Sequence, residues 1–165
     1  MDQEKWEREV DDFELPDVRG GTFRLGEALK RGPVLLVFYR GGWCPICNSQ
    51  LGELSQHYDE VEQLGVQIAA ISNEEVRQGE KVLKKVGPPY PLLLDGKSEV
   101  IEAVGLEVVR RDPLGFVLRK EGYAHPGMIL VGEGGEVLWS YRGKNYRDRP
   151  SMETVLEALR ESAGK

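Results

Sequence analysis

The chain is poor in the residues that staple, ligate or anchor a protein. Its 165 residues include two cysteines, Cys44 and Cys47, and two histidines, His57 and His125. A zinc site would need all four of them, and neither histidine has zinc-finger spacing after the Cys-x-x-Cys. No metal and no other cofactor are therefore expected. No apolar run approaches the roughly 18 residues that span a bilayer, so no membrane partner is expected. There is no excess of positive charge either. The formal charge is −6, which argues against a general nucleic-acid or anionic-membrane binder. The N-terminal stretch "MDQEKWEREVDDFELPD" lacks the apolar centre of a signal peptide, so a cytoplasmic location is the expectation. Thiols stay reduced there, and a close cysteine pair serves catalysis or metal binding more often than stapling.

What is present suits one soluble domain. Hydrophobic residues make up 40% of the chain and charged residues 30%. A domain of this length buries roughly 70% of the surface its unfolded chain exposes, so it folds without a staple. We divide the chain into a charged, flexible N-terminus over 1–11 and a single domain over 12–165. "FELPDVRGGTFRL" (13–25) reads as a small hairpin around Gly20-Gly21. "PVLLVFY" (33–39) and "VQIAAI" (66–71) are continuous apolar runs, the mark of strands buried on both faces. Between them Leu51, Leu54, Tyr58, Val61 and Leu64 share one helical face. The three pieces make a βαβ unit with a right-handed crossover. Ser72 and Glu75 have capping-box spacing, and Gly87 with Pro88-Pro89 ends the next helix. "YPLLLD" (90–95) predicts a strand, with Ser98 as the cap of a short helix over 99–104. "GMILVG" (127–132) and "EVLWSYR" (136–142) predict a second hairpin, and Pro150-Ser151 opens a last helix. Residues 105–125 read as a surface insertion with one strand-like piece, "GFVL" (115–118). The fold class is α/β, a mixed sheet flanked by helices with an N-terminal β-hairpin.

The chemistry concentrates in "FYRGGWCPICNSQ" (38–50). Gly41 and Gly42 permit a tight turn after the strand. Cys44 then falls near the helix N-cap, with Pro45 at the first helical position, where its missing N–H costs nothing. Cys47 is in the first turn, and the i, i+3 spacing puts both sulfurs on one side of the helix start. The partial positive charge of that helix end favours thiolate over thiol, and the thiolate is the nucleophile. The second sulfur can then close a disulfide onto the first. Two inert buried cysteines are the alternative.

These residues resemble the thioredoxin superfamily. "LLVFYRGGWCPIC" is similar to its strand, Trp, Cys-x-x-Cys and helix. "DDFELPDVRGGTFRLGEALKRGPVLLVFY" and "YPLLLDGKSEVIEAVGL" resemble more narrowly the peroxiredoxin-like branch, the AhpC/TSA or redoxin family. The likeness covers most of residues 12–160 and implies a thioredoxin-like fold. It places Cys47 at the family's peroxidatic position, Cys44 where the family has a peroxide-binding Thr or Ser, and Arg40 where it has Pro. The family's later site arginine falls near His125, which leaves Arg40, Arg142, Arg147 or Arg149 to supply that charge. The resemblance also implies a cis peptide bond before Pro126, facing the cysteines. His125 beside it either faces the sulfurs or lies on the surface, and His57 reads as a helix-surface residue.

The site residues expected are therefore Cys44 and Cys47, supported by Gly42, Trp43, Pro45 and Pro126. The leading function is a thiol-dependent antioxidant oxidoreductase that reduces hydroperoxides, with an external dithiol such as a thioredoxin resetting the pair. The alternatives are a thiol–disulfide reductase without peroxidase activity and a redox-sensing binding module. Which sulfur attacks is left open at this point. The basic stretch "YRGKNYRDR" (141–149) offers a dock for an acidic reductase or substrate, and a homodimer is compatible with the sequence.

Overall fold

The computed structural model describes residues 8–110 and 122–163. The elements run β1 (Glu14–Pro16), β2 (Thr22–Arg24), α1 (Leu25–Leu29), β3 (Val34–Phe38), α2 (Pro45–Gln56), α3 (Tyr58–Gln63) and β4 (Gln67–Ser72). They continue with α4 (Val76–Lys85), β5 (Leu92–Leu94), α5 (Glu99–Ala103), β6 (Val108–Val109), β7 (Tyr123–Ala124), β8 (Gly127–Val131), β9 (Val137–Arg142) and α6 (Met152–Ala163). The central sheet has the order β5-β4-β3-β8-β9. β3, β4 and β5 are parallel, while β8 and β9 run antiparallel to their neighbours. The sheet is thus mixed, as the sequence predicts, and β1–β2 is the expected N-terminal hairpin.

Strand alternation divides the core in two. Leu35, Val37 and Tyr39 point to the face covered by α2, α4 and α6, with Leu51, Leu54, Val82, Val155 and Leu159 packed there. Leu36 and Phe38 point to the other face, against Leu25, Ala28 and Ile101 of α1 and α5. Every residue of β3 is fully buried, which is why its sequence is apolar without alternation. Each such side chain contributes about 1.5–3 kcal/mol on burial.

Several local readings are corrected. The predicted single helix after the cysteines breaks at His57, which has φ −102° and ψ 12°. The cause lies one turn earlier. The Leu51 carbonyl accepts from both Ser55 Oγ and Tyr90 OH, at 2.8 and 2.7 Å. A hydroxyl bonded back to the i−4 carbonyl bends a helix. The capping box lies at Glu75 and Gln78 instead of Ser72 and Glu75. Ser72 is still in β4, and its Oγ accepts from the Glu74 N–H. Ser98 does not cap α5 with its side chain; Asp95 does, accepting from the Ile101 N–H at 2.8 Å.

Two ends of the chain's irregular regions are tied down. The Val10 N–H donates to Gly135 O, and the Val137 N–H donates to Arg8 O; residues 1–7 of the predicted flexible N-terminus lie outside the described residues. The "GFVL" piece also lies outside them. Its flanks form the small β6–β7 ladder, and Leu106 and Ala124 are buried in the core.

Candidate active site

The end of β3 and the start of α2 build the site. Tyr39 continues the β3–β4 ladder, its N–H donating to Ile71 O. The chain then turns through Gly41 and Gly42, and the Cys44 N–H closes the turn on Gly41 O at 3.1 Å. Gly41 has φ 156°, and a Cβ there would press on the Trp43 indole and the Glu74 carboxylate. Gly42 is gripped from both sides. Its N–H donates to Glu74 Oε1 at 2.9 Å, and its carbonyl accepts from Asn48 Nδ2 at 2.8 Å. The sequence reading missed Glu74 and Asn48; each reaches the turn from a neighbouring element, and no local pattern marks them.

Cys44 is the N-cap of α2 and Pro45 its first residue. The Cys47 N–H donates to Cys44 Sγ at 3.3 Å, so a sulfur fills the role usually taken by a hydroxyl or carboxylate. Cys44 is 2% exposed and Cys47 fully buried, so only Cys44 reaches solvent. Both are unbonded thiols. Their acidities diverge. The hydrogen bond from the Cys47 side chain pulls Cys44 down to about 5, helped by the Cys47 N–H and by the guanidiniums of Arg40 and Arg149. Donation to Cys44, together with burial, pushes Cys47 well above the usual thiol range. The pair titrates as a unit, and the Cys44 sulfur, which accepts from the Cys47 N–H, takes the lower pKa.

Of the four candidate arginines the structure brings two to the sulfurs. Arg149 Nη2 lies 3.3 Å from Cys47 Sγ. Arg40 Nη1 lies 4.0 Å from Cys44 Sγ, and its Nη2 donates to Tyr123 OH at 2.9 Å. The Arg40 guanidinium sits 4.8, 4.5 and 4.6 Å from the ring centres of Trp43, Tyr123 and Tyr146. Arg147 stacks on Tyr146 at the surface, and Arg142 is buried at the end of β9.

Trp43 is 52% exposed and meets Tyr123 edge-on at 5.3 Å. It frames the turn from outside instead of sealing it. Pro126 is buried at the start of β8, and the β3–β8 register sets it across from Tyr39, at the strand end that leads into the cysteines. The bond before it is trans, because no described peptide bond is cis. This corrects the expectation. Only His125 and Pro126 separate β7 from β8, and the His125 N–H is bonded to Glu107 O, so an extended connection serves both ladders. His125 is buried, not on the surface. Its Nε2 lies 2.7 Å from Gly143 O, and since that carbonyl only accepts, Nε2 carries the proton. Burial holds its pKa below the usual imidazole range. His57 is half-buried on the helix surface and pairs with Glu60 at 2.8 Å.

The sequence profile of the AhpC/TSA family matches residues 7–140. The chain belongs to the AhpC/TSA family. Among curated AhpC/TSA-like relatives, the thiol-disulfide oxidoreductase ResA of Halalkalibacterium halodurans is 29% identical over 132 residues, which cover 79% of this chain. The chain spans 65% of that relative's length. The selenocysteine-containing peroxiredoxin PrxU of Peptoclostridium acidaminophilum is 27% identical over 172 aligned positions, covering 95% of this chain and 79% of the relative. Among solved structures, peroxidoxin BcpB from Mycobacterium tuberculosis superposes with a TM-score of 0.77 at 26% identity, over 94% of this chain and 96% of that one. This AhpC/TSA chain thus has the thioredoxin-like fold that its motif implies. Among the described residues no helix is long and apolar enough to cross a membrane.

Proposed function

We propose that this AhpC/TSA protein is a thiol-dependent oxidoreductase that reduces hydroperoxides through a Cys44/Cys47 dithiol–disulfide cycle, with Cys44 attacking first. The observation that carries this reading is the place of Cys44 at the N-cap of α2, where its sulfur accepts from the Cys47 N–H at 3.3 Å and the Cys47 side chain and N–H pull its pKa below the usual thiol range. Cys44 attacks one oxygen of the peroxide bond, the O–O bond breaks, and the second oxygen leaves as an alcohol or water once protonated. Cys44 is left as a sulfenic acid. Cys47 then attacks Cys44 Sγ, and the Cys44–Cys47 disulfide forms as hydroxide departs and takes a proton. The two electrons come from the dithiol. An external dithiol such as a thioredoxin, in a reducing, cytoplasm-like setting, returns them.

One observation favours a second reading, a thiol–disulfide reductase. Cys44 occupies the position at which the family resemblance places a peroxide-binding hydroxyl, so a disulfide sulfur is an equally suitable electrophile for it.

Stopped-flow oxidation of the reduced protein by hydrogen peroxide tests the first reading. Rapid oxidation is expected to survive in Cys47→Ser, ending at the sulfenic acid, and to vanish in Cys44→Ser. Survival in Cys44→Ser alone reverses the order of attack. Oxidation no faster than that of a free thiol in every form sinks the peroxidase, and reduction of insulin disulfides in the same preparation then establishes the second reading.

A further inference from the structure

Helix α2 starts at the dithiol, and its two flanks differ. The flank of Gln50 is taken. Gln50 Oε1 accepts from Arg149 Nη1 at 2.8 Å. Asn145 and Asp148 hold the turn that delivers this arginine, Asn145 Oδ1 accepting from the Arg147 N–H and the Asp148 carboxylate from the Lys144 N–H. At 3.6 residues per turn the opposite flank is the stripe of Pro45, Asn48, Gly52 and Gln56. Along it a groove of about 620 Å³ opens between α2 and the end of α4, with Lys85 on the far wall.

Three features equip this groove for a chain. Gly52 lies in the middle of the helix, where glycine weakens it. A Cβ there would meet nothing within 4 Å among the described residues, so no internal packing asks for the glycine. Bare backbone at that point lets another backbone come close. Asn48 is nine-tenths buried. Its Nδ2 donates to Gly42 O, but its Oδ1 has no partner among the described residues, an acceptor in need of an N–H. Lys85 is exposed and is the one charged side chain among the residues that line the groove.

From this arrangement we propose that the groove between α2 and α4 seats the extended chain that flanks the cysteine of a protein exchanging disulfides with Cys44, and that Lys85 selects an acidic side chain on it. The proposal rests on the reading of Cys44 as the attacking sulfur. The groove begins at Pro45, next to Cys44 in the chain. Cys44 is only 2% exposed, so a partner's sulfur reaches it when the chain that carries it lies flat against the helix start. From Pro45 to Gln56 the helix rises about 16 Å, which an extended chain spans in about five residues. The acidic side chain therefore stands within that distance of the partner's cysteine. In the exchange the Cys44 thiolate attacks one sulfur of the partner's disulfide. That S–S bond breaks, its other sulfur leaves as a thiolate, and a new S–S bond joins the partner's chain to Cys44. Cys47 then attacks Cys44 Sγ, and the partner's cysteine leaves with the Cys47 proton. Two electrons have passed from this dithiol to the partner. Run in reverse, the same joined state serves an external dithiol that resets the pair.

Two short peptides test the groove, each with a central cysteine activated as its mixed disulfide with pyridinethiol. One carries glutamates on both sides of the cysteine, the other lysines. Thiopyridone release by the reduced protein is followed by absorbance, and each rate is divided by that of free dipyridyl disulfide, which is too small to lie along the groove. The ratio reads the groove, and the reagent's rate alone reads Cys44. The glutamate peptide is expected to react about threefold faster than the lysine peptide. Lys85→Glu is expected to abolish or reverse that preference. Gly52→Leu, which fills the open floor, is expected to slow both peptides about tenfold relative to the reagent. Arg40 and Arg149 stand outside the groove, so a glutamate preference that survives Lys85→Glu belongs to them and overturns the proposal. Peptide ratios unmoved by Gly52→Leu overturn it as well, and leave the Cys44 nucleophile standing.

Discussion

β3 and β4 lie side by side, and each ends in a turn that opens a helix. At the first turn the free amides of α2 are met by a sulfur, Cys44 Sγ, with no acidic side chain in the opening turn. At the second they are met by a carboxylate: Glu75 caps α4, and Gln78 Oε1 returns the bond to the Glu75 N–H at 3.0 Å. The helix-end electrostatics are common to both. The surroundings differ. Glu75 is exposed to solvent, whereas Cys44 is walled in, with one cation within 4.0 Å of it and a second beside its partner. At α2 the acceptor is a thiol whose pKa the Cys47 side chain and N–H and two guanidiniums lower against its burial, whereas at α4 it is a carboxylate open to water.

Exchanging the key atom at each turn tests that contrast most severely. Cys44→Ser is expected to slow oxidation by peroxide or disulfide on the order of a thousandfold or more, as removal of a nucleophile does, whereas Glu75→Ala leaves the rate unchanged. Equal losses in both variants would erase the distinction between the turns. Next in size is the effect of the partner thiol. Cys47→Ala removes the leading cause of the lowered Cys44 pKa. The midpoint of Cys44 alkylation against pH is therefore expected to move up from about 5, by about one to two pH units. Wild-type reactivity climbs through pH 5 and is level at neutrality, while the variant is still climbing there. A midpoint that stays put would assign the acidity to the helix end alone. Arg40→Met is expected to shift the same midpoint upward by less, since Arg40 stands behind both Cys47 contacts among the causes; a larger shift than in Cys47→Ala would reverse that ranking. The smallest effect belongs to the other turn. Glu75→Ala is expected to cost about 1 kcal/mol of stability, a fall of about 2–4 °C in Tm, read by thermal unfolding with activity intact. No change in Tm would show that the α4 cap is energetically idle.

The parts of this arrangement differ in how plainly the sequence announces them. "LLVF" in β3 and "IAAI" in β4 are legible because strands buried on both faces have no polar alternation to blur them. The Cys44 N-cap is legible because Gly41, Gly42 and Pro45 fix a turn and a helix start within five residues. The break at His57 is not, because half its cause is Tyr90 OH, which arrives from 39 positions away. β6 and β7 have two residues each, too few for any period to show. Arg149 stands inside "YRGKNYRDR", a stretch that composition marks only as basic. Its bond to Cys47 is set by the turn chemistry of Asn145 and Asp148 and by Gln50 of α2, none of which announces a partner in the sequence.

The pairing of Cys47 with Arg149 spans 102 positions of chain. Synthesis adds about 5–20 residues per second, so the two thiols exist for roughly 5–20 s before the ribosome has made the cation that faces them. Over that interval the Cys-x-x-Cys of the nascent chain lacks Arg149. The charge environment of this dithiol is completed by a residue translated long after both thiols.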